Sequence, residues 1–311
     1  MWKPSLSIVM CTFNGSRYLR EQLDSIVAQT YPITEMLIFD DGSTDESMQI
    51  LEEYEKQFPF ISLHRNELNL GFNANFEKAL RSATAEVIAI ADQDDYWHPE
   101  KIERMISRWD RSKPIIHCDS QRFKNKRVEN TAAKKLNCRF EGIDSRKLFL
   151  FNSVSGHATI IQKSFLPFIF PFDESLYYDW WIAFVASFNG GVAYLNETLV
   201  YQRVHSSNVS IDSKTATRES FQRYRDIVTR HVRKFLTAPN LPPHVNEFGN
   251  KLYQCLTSLS VKETKFTLFL FMFKNRHLVF YYKKRRMPLF SHFKHAIRWA
   301  FIDQNRNSIN F

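Results

Sequence analysis

The sequence holds no long hydrophobic run. Its most apolar stretch, Phe266 to Phe273, stops at Lys274, far short of the ~20 residues that a membrane-spanning helix needs. The opening Met1-Trp2-Lys3-Pro4 leads directly into the apolar run that ends at Met10, too short for the apolar core and cleavage site of a secretory leader. Cysteine is scarce. The four residues Cys11, Cys118, Cys138 and Cys255 include no CxxC pair. This argues against the common zinc and redox frameworks and predicts free thiols in a reducing compartment, with Cys11 in the core of a strand. There is no internal repeat and no low-complexity tract. The expectation is a cytoplasmic chain without a membrane span.

What is present is an ordinary globular composition, 44% hydrophobic and 24% charged over 311 residues. That length accommodates one large domain and a smaller one. Basic charge is unevenly placed: residues 216–311 carry 18 Lys and Arg against 5 Asp and Glu, whereas the rest is slightly acidic. Between Glu263 and Asp303 there is no acidic residue, while Lys265, Lys274, Arg276, Lys283, Lys284, Arg285, Arg286, Lys294 and Arg298 alternate with Phe, Tyr and Trp. Basic and aromatic residues in this mixture suit an interfacial helix on an anionic membrane. A plain helical subdomain with solvated charges is the bland alternative. No module known to bind nucleic acid surrounds the charges, so nucleic acid is not an expected partner.

Apolar periodicity predicts alternating elements. Strands are expected at Leu6–Cys11, Met36–Phe39, Ile61–His64, Val87–Ala91 and Pro114–Cys118. Helices are expected at Arg17–Ala28, from a cap at Ser43 or Thr44 to about Phe58, at Phe72–Ala83, and from Pro99 to about Trp109. Residues 123–151, with Lys124, Lys126, Arg127, Lys134 and Lys135, read as a solvated basic loop. Further on, Ala158–Ile161 and Gly191–Leu195 read as strands around a buried helix at Tyr177–Phe188. From about Thr215 the pattern turns helical, with breaks at Pro239, Pro242-Pro243 and Pro288. The order β-α-β-α-β-α-β calls for an α/β fold with a mainly parallel sheet covered on both faces.

Ligands of such sheets bind beyond the carboxyl ends of the strands. Three of those ends carry polar groups: Thr12-Phe13-Asn14, Asp40-Asp41-Gly42 and Asp92-Gln93-Asp94-Asp95. Two carboxylates one residue apart can converge on a hard cation such as Mg²⁺, which completes its shell with substrate phosphates. An acidic turn that caps the helix after Pro99 would look the same in isolation, so the argument rests on the three ends together. The run Asp40–Asp45 is not a calcium loop, because it lacks the central Gly and closing Glu.

These segments, with Asp179-Trp180-Trp181, Asn152-x-Val154-x-Gly156-His157 and Arg203-x-His205-x-x-Asn208, resemble the family 2 glycosyltransferases, which have the GT-A fold; the later motifs are similar to its rhamnosyltransferase-like branch. The resemblance spans about residues 4–211. It implies a nucleoside pocket lined by Thr12, Phe13 and Asn14, with Asp41 on the base. Asp92 would contact the ribose or the metal, and Asp94 would bind the metal, Mg²⁺ or Mn²⁺. His205 would approach the diphosphate or metal, and Arg203 belongs to the same motif. Gly156 and His157 would lie near the donor sugar, and Asp179 would be the catalytic base. Trp180 and Trp181 read either as rings stacking on sugar or as core. The chain departs from the branch at Tyr178, where His is common, at Gln202 and at Ser206.

The expectation is therefore a GT-A catalytic domain over 1–215 and a helical, basic, membrane-associating region over 216–311. It would be an inverting, metal-dependent hexosyltransferase. It would move a sugar, with rhamnose from a dTDP donor as the suggested case, onto a surface polysaccharide or lipid-linked glycan at the inner face of the plasma membrane. The rivals are a nucleotidyltransferase, which would release pyrophosphate, and a non-catalytic nucleotide- or glycan-binding module.

Overall fold

A computed structural model describes residues 2–124, 138–205, 218–258, 262–283 and 287–301. The described chain forms two compact units. The first holds the described residues up to 124, then Arg139–Ile143 and Val154 onward to 205. The second holds Asp144–Ser153 and the described residues from 218. The expected boundary at 215/216, and Lys126, Arg127, Lys134, Lys135, Ser206, Asn208 and Lys284–Arg286, lie outside the described residues.

The first unit is built on the predicted alternation: β1 (Leu6–Thr12), α1 (Ser16–Val27), β2 (Glu35–Asp40), α2 (Ser47–Gln57), β3 (Ile61–Arg65), α3 (Phe72–Ser82) and β4 (Val87–Ala91). Then come β5 (Tyr96–Trp97), α4 (Lys101–Arg108), β6 (Ile115–Phe123), β7 (Thr159–Gln162), α5 (Tyr178–Phe188) and β8 (Val192–Arg203). One eight-stranded sheet has the order β3-β2-β1-β4-β7-β6-β8-β5. Strands β3, β2, β1 and β4 are mutually parallel, as are β6 and β8; β7 and β5 run antiparallel to their neighbours. Parallel strands covered on both faces need continuous apolar runs. β4, Val-Ile-Ala-Ile-Ala, is buried at all five positions.

The pleat divides β1 between two layers. Leu6, Ile8 and Met10 join a core cluster with Leu19, Leu23 and Ile26 of α1 and Ile50 and Leu51 of α2. α3 packs on β1 and β2. Each large side chain buried this way contributes about 2 kcal/mol. Cys11, expected in the core, is only half-buried, although Thr12 after it is buried.

Two expectations about boundaries are corrected. Neither Ser43 nor Thr44 caps α2, which begins at Ser47; the Ser43 hydroxyl donates instead to Asp40 (2.5 Å). The strands predicted at 114–118 and 191–195 are longer, reaching Phe123 and Arg203, because β6 and β8 pair with each other past a bulge at Asp119.

The second unit is helical: α6 (Arg218–Phe235), α7 (Pro243–Thr257), α8 (Lys262–Lys274), α9 (Arg276–Val279) and α10 (Pro288–Phe301). Pro243 and Pro288 open helices, as proline at a first turn can, since no donor is lost there. Phe149 packs on Phe235 and Phe248, and the Tyr224 hydroxyl donates to the Leu150 carbonyl at 2.6 Å. No helix among the described residues is long and apolar enough to cross a membrane.

Candidate functional site

β1 lies between β2 and β4, all three parallel, so their carboxyl ends meet at one edge. The three polar segments predicted to converge are thus neighbours. Asp40 organises the first two: it accepts from the Thr12 hydroxyl (2.9 Å), from the amides of Gly42 and Ser43, and from the Ser43 hydroxyl. Asn14 turns with a positive φ of 48°, a conformation that Asn tolerates better than most residues, and its side chain accepts from the Thr44 amide at 2.9 Å. Asp45 accepts from the amides of Ser16 and Ser47, and these bonds, opposing burial, hold its carboxyl down at about 2.

Asp41 is buried and receives three donors: the Asn66 side chain and the backbone amides of Leu70 and Gly71, at 2.8, 2.8 and 2.9 Å. It shapes the loop that enters α3. Asn66 in turn bonds Asn75, and Asn75 bonds the Phe39 carbonyl. The asparagine-rich segment 66–75 is therefore a scaffold, which the sequence reading missed.

The acidic run is held at both ends. β4 leads into it, and β5 leads out to pair with β8. Gln93 faces back to β1: its side chain accepts from the Phe13 amide (2.9 Å) and donates to the Phe13 carbonyl (3.1 Å). A Cβ at position 15 would stand 2.3 Å from the Gln93 oxygen, which accounts for Gly15. Phe13 itself is exposed.

The carboxylates divide into two groups. Asp94 pairs with His205 across 2.6 Å. Asp92 and Asp95 both face His157 Nδ1, at 3.3 and 3.6 Å. Of the expected metal ligands, Asp94 and His205 pair with each other, and Asp92 bonds His157 while its charge acts on Asp94. Burial, then the charge of Asp92, raises the Asp94 carboxyl; burial raises the fully enclosed Asp95 to about 7. Burial alone would lower His157, but Asp95 and Asp92 outweigh it and raise the imidazole.

These residues fit a divalent cation. Ligand atoms of Asp92, Asp95 and His157 all lie within 4.8 Å of one another. Asp95 Oδ2 and His157 Nε2 are buried without a hydrogen-bond partner. Such orphaned groups are rare, and the two carboxylates are the oxygen donors that Mg²⁺ or Mn²⁺ takes, whereas the imidazole favours a softer divalent ion than Mg²⁺.

Arg203 braces the run. Its backbone amide donates to Asp95, its Nε to the Asp94 carbonyl, and its guanidinium pairs with Glu21 of α1. Lys101, which the sequence reading also missed, is fully buried beneath the site. Its Nζ donates to the His157 carbonyl at 2.8 Å and lies 3.2 Å from the centre of the Trp97 ring. Burial pulls this lysine down to about 7.

Asp179 stands in the first turn of α5, partly buried, with the Gly156 amide 3.4 Å from its carboxylate. Burial raises it to about 6, against the opposing Gly156 hydrogen bond. Tyr178 explains why position 156 is glycine: a Cβ there would meet the tyrosine hydroxyl at 2.3 Å. Trp180 and Trp181 are 3% and 6% exposed, and Trp181 donates to the Ile169 carbonyl. Both rings are buried in the core, as one of the two readings of this pair has it. Asn152 of the Asn-x-Val-x-Gly-His motif falls in the second unit, Gly156 and His157 in the first.

The polar edge beyond the parallel strand ends, with its clustered carboxylates and imidazoles, lies where open α/β sheets bind their ligands. Residues 7–170 match Glycosyl transferase family 2. The chain belongs to that family and is a glycosyltransferase. It is 27% identical over 262 residues to an uncharacterized glycosyltransferase of Nostoc sp., covering 80% of this chain and 81% of that protein. It is 35% identical over 105 residues to Bacillus subtilis TuaG, named as a teichuronic acid biosynthesis glycosyltransferase, covering 34% of this chain and 42% of TuaG. Two solved structures share its fold. S. aureus TarS 1-349 in complex with UDP-GlcNAc superposes with a TM-score of 0.60 at 19% identity, covering 94% of this chain and 90% of that one. The mannosyltransferase PcManGT of Pyrobaculum calidifontis, in complex with GDP-Man and Mn²⁺, gives 0.58 at 15% identity, covering 98% and 89%. These neighbours match the mixed sheet flanked by helices expected from the sequence.

Proposed function

We propose that this glycosyltransferase is inverting and metal-dependent, moving a hexose from a nucleotide donor to a surface polysaccharide or lipid-linked glycan. One observation carries the reading: a partly buried carboxylate, Asp179 in the first turn of α5, stands beside the Gly156 amide, and the adjoining His157 faces Asp92 and Asp95. In one displacement, the Asp179 carboxylate takes the proton of the acceptor hydroxyl. That oxygen attacks the anomeric carbon, the bond from this carbon to the diphosphate oxygen breaks, and the nucleoside diphosphate leaves. Asp94 with His205, and Asp92 with Asp95 and His157, would hold Mg²⁺ or Mn²⁺, which supplies positive charge against the leaving diphosphate.

The loop of Thr12, Phe13 and Asn14 would form the nucleoside wall, with exposed Phe13 at its lip and Asp41 near the base. Gly156 and His157 would face the donor sugar, and Arg203 would keep the acidic run in place. The sequence motifs support a dTDP-rhamnose-like donor; the bound UDP-GlcNAc and GDP-Man of the fold neighbours belong to those proteins. The second unit would bring the chain to an anionic membrane at the cytoplasmic face, where lipid-linked acceptors are assembled.

A thermal-shift panel of dTDP, UDP and GDP, each with Mg²⁺ or Mn²⁺, tests the donor side. A rise in Tm that needs both nucleotide and metal is expected. A rise with nucleotide alone would remove the metal from the site, and no rise with any pair would remove the nucleotide.

A further inference from the structure

The apolar residues of the second unit are distributed in a way that its own core does not use up. On α8, Leu268, Phe271 and Met272 are buried, one stripe at helical spacing. The opposite stripe is apolar too: Phe266 is 56% and Leu270 49% exposed. A helix that is apolar all round belongs in an environment apolar on both sides. α10 packs beside α8 and continues the surface with Leu289, Phe290 and Phe293, of which Phe290 is 53% exposed. The Phe293 ring meets those of Phe269 and Phe273 edge-on at 5.5 and 5.7 Å, so the two helices share one aromatic ridge. With Met287, these two helices supply half of the exposed large apolar side chains among the described residues.

The charges around this surface are mainly positive. Lys274 stands on the same stripe as Phe266 and Leu270, and Lys294 Nζ lies 4.6 Å from the centre of the Phe290 ring. Glu263, in the first turn of α8, is the only acidic residue of either helix among the described residues.

We propose that the α8–α10 face is the surface by which the chain docks on anionic phospholipid, the phenylalanines entering the headgroup boundary and the lysines meeting lipid phosphates. It rests on the membrane reading of the second unit and is independent of the transferase chemistry. A second copy of this chain is the less suitable occupant, because pairing two such faces would bring like charges together. No helix among the described residues is long and apolar enough to span a bilayer, and the attachment proposed is interfacial and reversible.

The test is flotation of the full chain with vesicles of phosphatidylglycerol and phosphatidylcholine, or phosphatidylcholine alone, at low and high salt. Wild type should float with the anionic vesicles and far less with the neutral ones. Salt should weaken the binding. The triple variant F266S/L270S/F290S should lose flotation with an unchanged Tm, since all three side chains face solvent. A second variant, K274Q/K294Q, should lower the partition about fivefold per charge removed. If wild type ignores anionic vesicles, the membrane reading itself falls. If wild type floats and both variants float equally well, only the assignment to this face falls. A wild-type chain that sediments as a dimer, becomes a monomer in the triple variant and never floats would give the face to a second copy.

Discussion

Lys101 offers a test of how the site is held that needs no substrate. Its ammonium is fully buried between the His157 carbonyl and the Trp97 ring. Burial lowers it from 10.5 to about 7. A folded-state value below the unfolded one means that the unfolded chain binds the proton more tightly between pH 7 and 10.5. Stability contributed by this group therefore rises with pH across that window and is lost as pH falls toward 7. The limiting slope is about 1.4 kcal/mol per pH unit, so the gain between pH 7.5 and 9 is about 2 kcal/mol. Cys118, raised to about 11 by burial, titrates at the edge of the same window, so the wild-type curve alone is not diagnostic. The replacement Lys101→Met keeps the length and removes the proton. Urea unfolding of both proteins at several pH values, each carrying Cys118→Ala because that thiol and Lys101 act on each other's charge, isolates the lysine. The stability difference should shift by about 2 kcal/mol in favour of the protein that keeps Lys101 between pH 7.5 and 9. Parallel curves would mean that Lys101 stays charged in the folded chain, and the account of a neutral lysine under the site would be wrong.

Three further outcomes follow from the geometry. The rate of transfer should rise through about pH 6, since Asp179 must be ionised to act and burial holds it near that value; a rate independent of pH from 5 to 7 would count against it as base. Gly15→Ala should push Gln93 off the Phe13 backbone, raising KM for the donor severalfold while costing about 1 kcal/mol or less of stability, because the displaced atom ends a flexible side chain; an unchanged KM would show that the clamp does not shape the nucleoside wall. Chelation should abolish transfer and leave the fold intact, with added Mn²⁺ restoring activity; full activity in chelator would exclude a metal at Asp92–Asp95.

Much of the site was legible because strand ends announce themselves. The apolar runs of β1, β2 and β4 stop abruptly at polar residues, and their parallel order forces those ends together. Local signals failed where the partner is distant in sequence. Ser43 resembles a helix cap until Asp40 claims it. Two-residue β5 has no periodicity of its own and exists because β8 passes beside it. Gln93, Lys101 and the Asn66–Asn75 network bond groups 9 to 80 residues away, and composition does not mark them. The aromatic pair at 180–181 carried two readings, and burial chose packing. The basic tail was legible as charge, but only the helix packing separates the stripe that α8 buries from the one it exposes.

The central claim is sugar transfer with Asp179 as base and the acidic run as metal site. Its most direct test is release of nucleoside diphosphate from nucleotide-sugar donors, with acceptor and Mn²⁺, by wild type, Asp179→Asn and Asp94→Asn. Wild type should release nucleoside diphosphate and no pyrophosphate. Asp179→Asn should fall by about 10²- to 10⁴-fold while still binding nucleotide, and Asp94→Asn should lose its response to metal. Pyrophosphate as the product, or full activity in Asp179→Asn, would contradict the account.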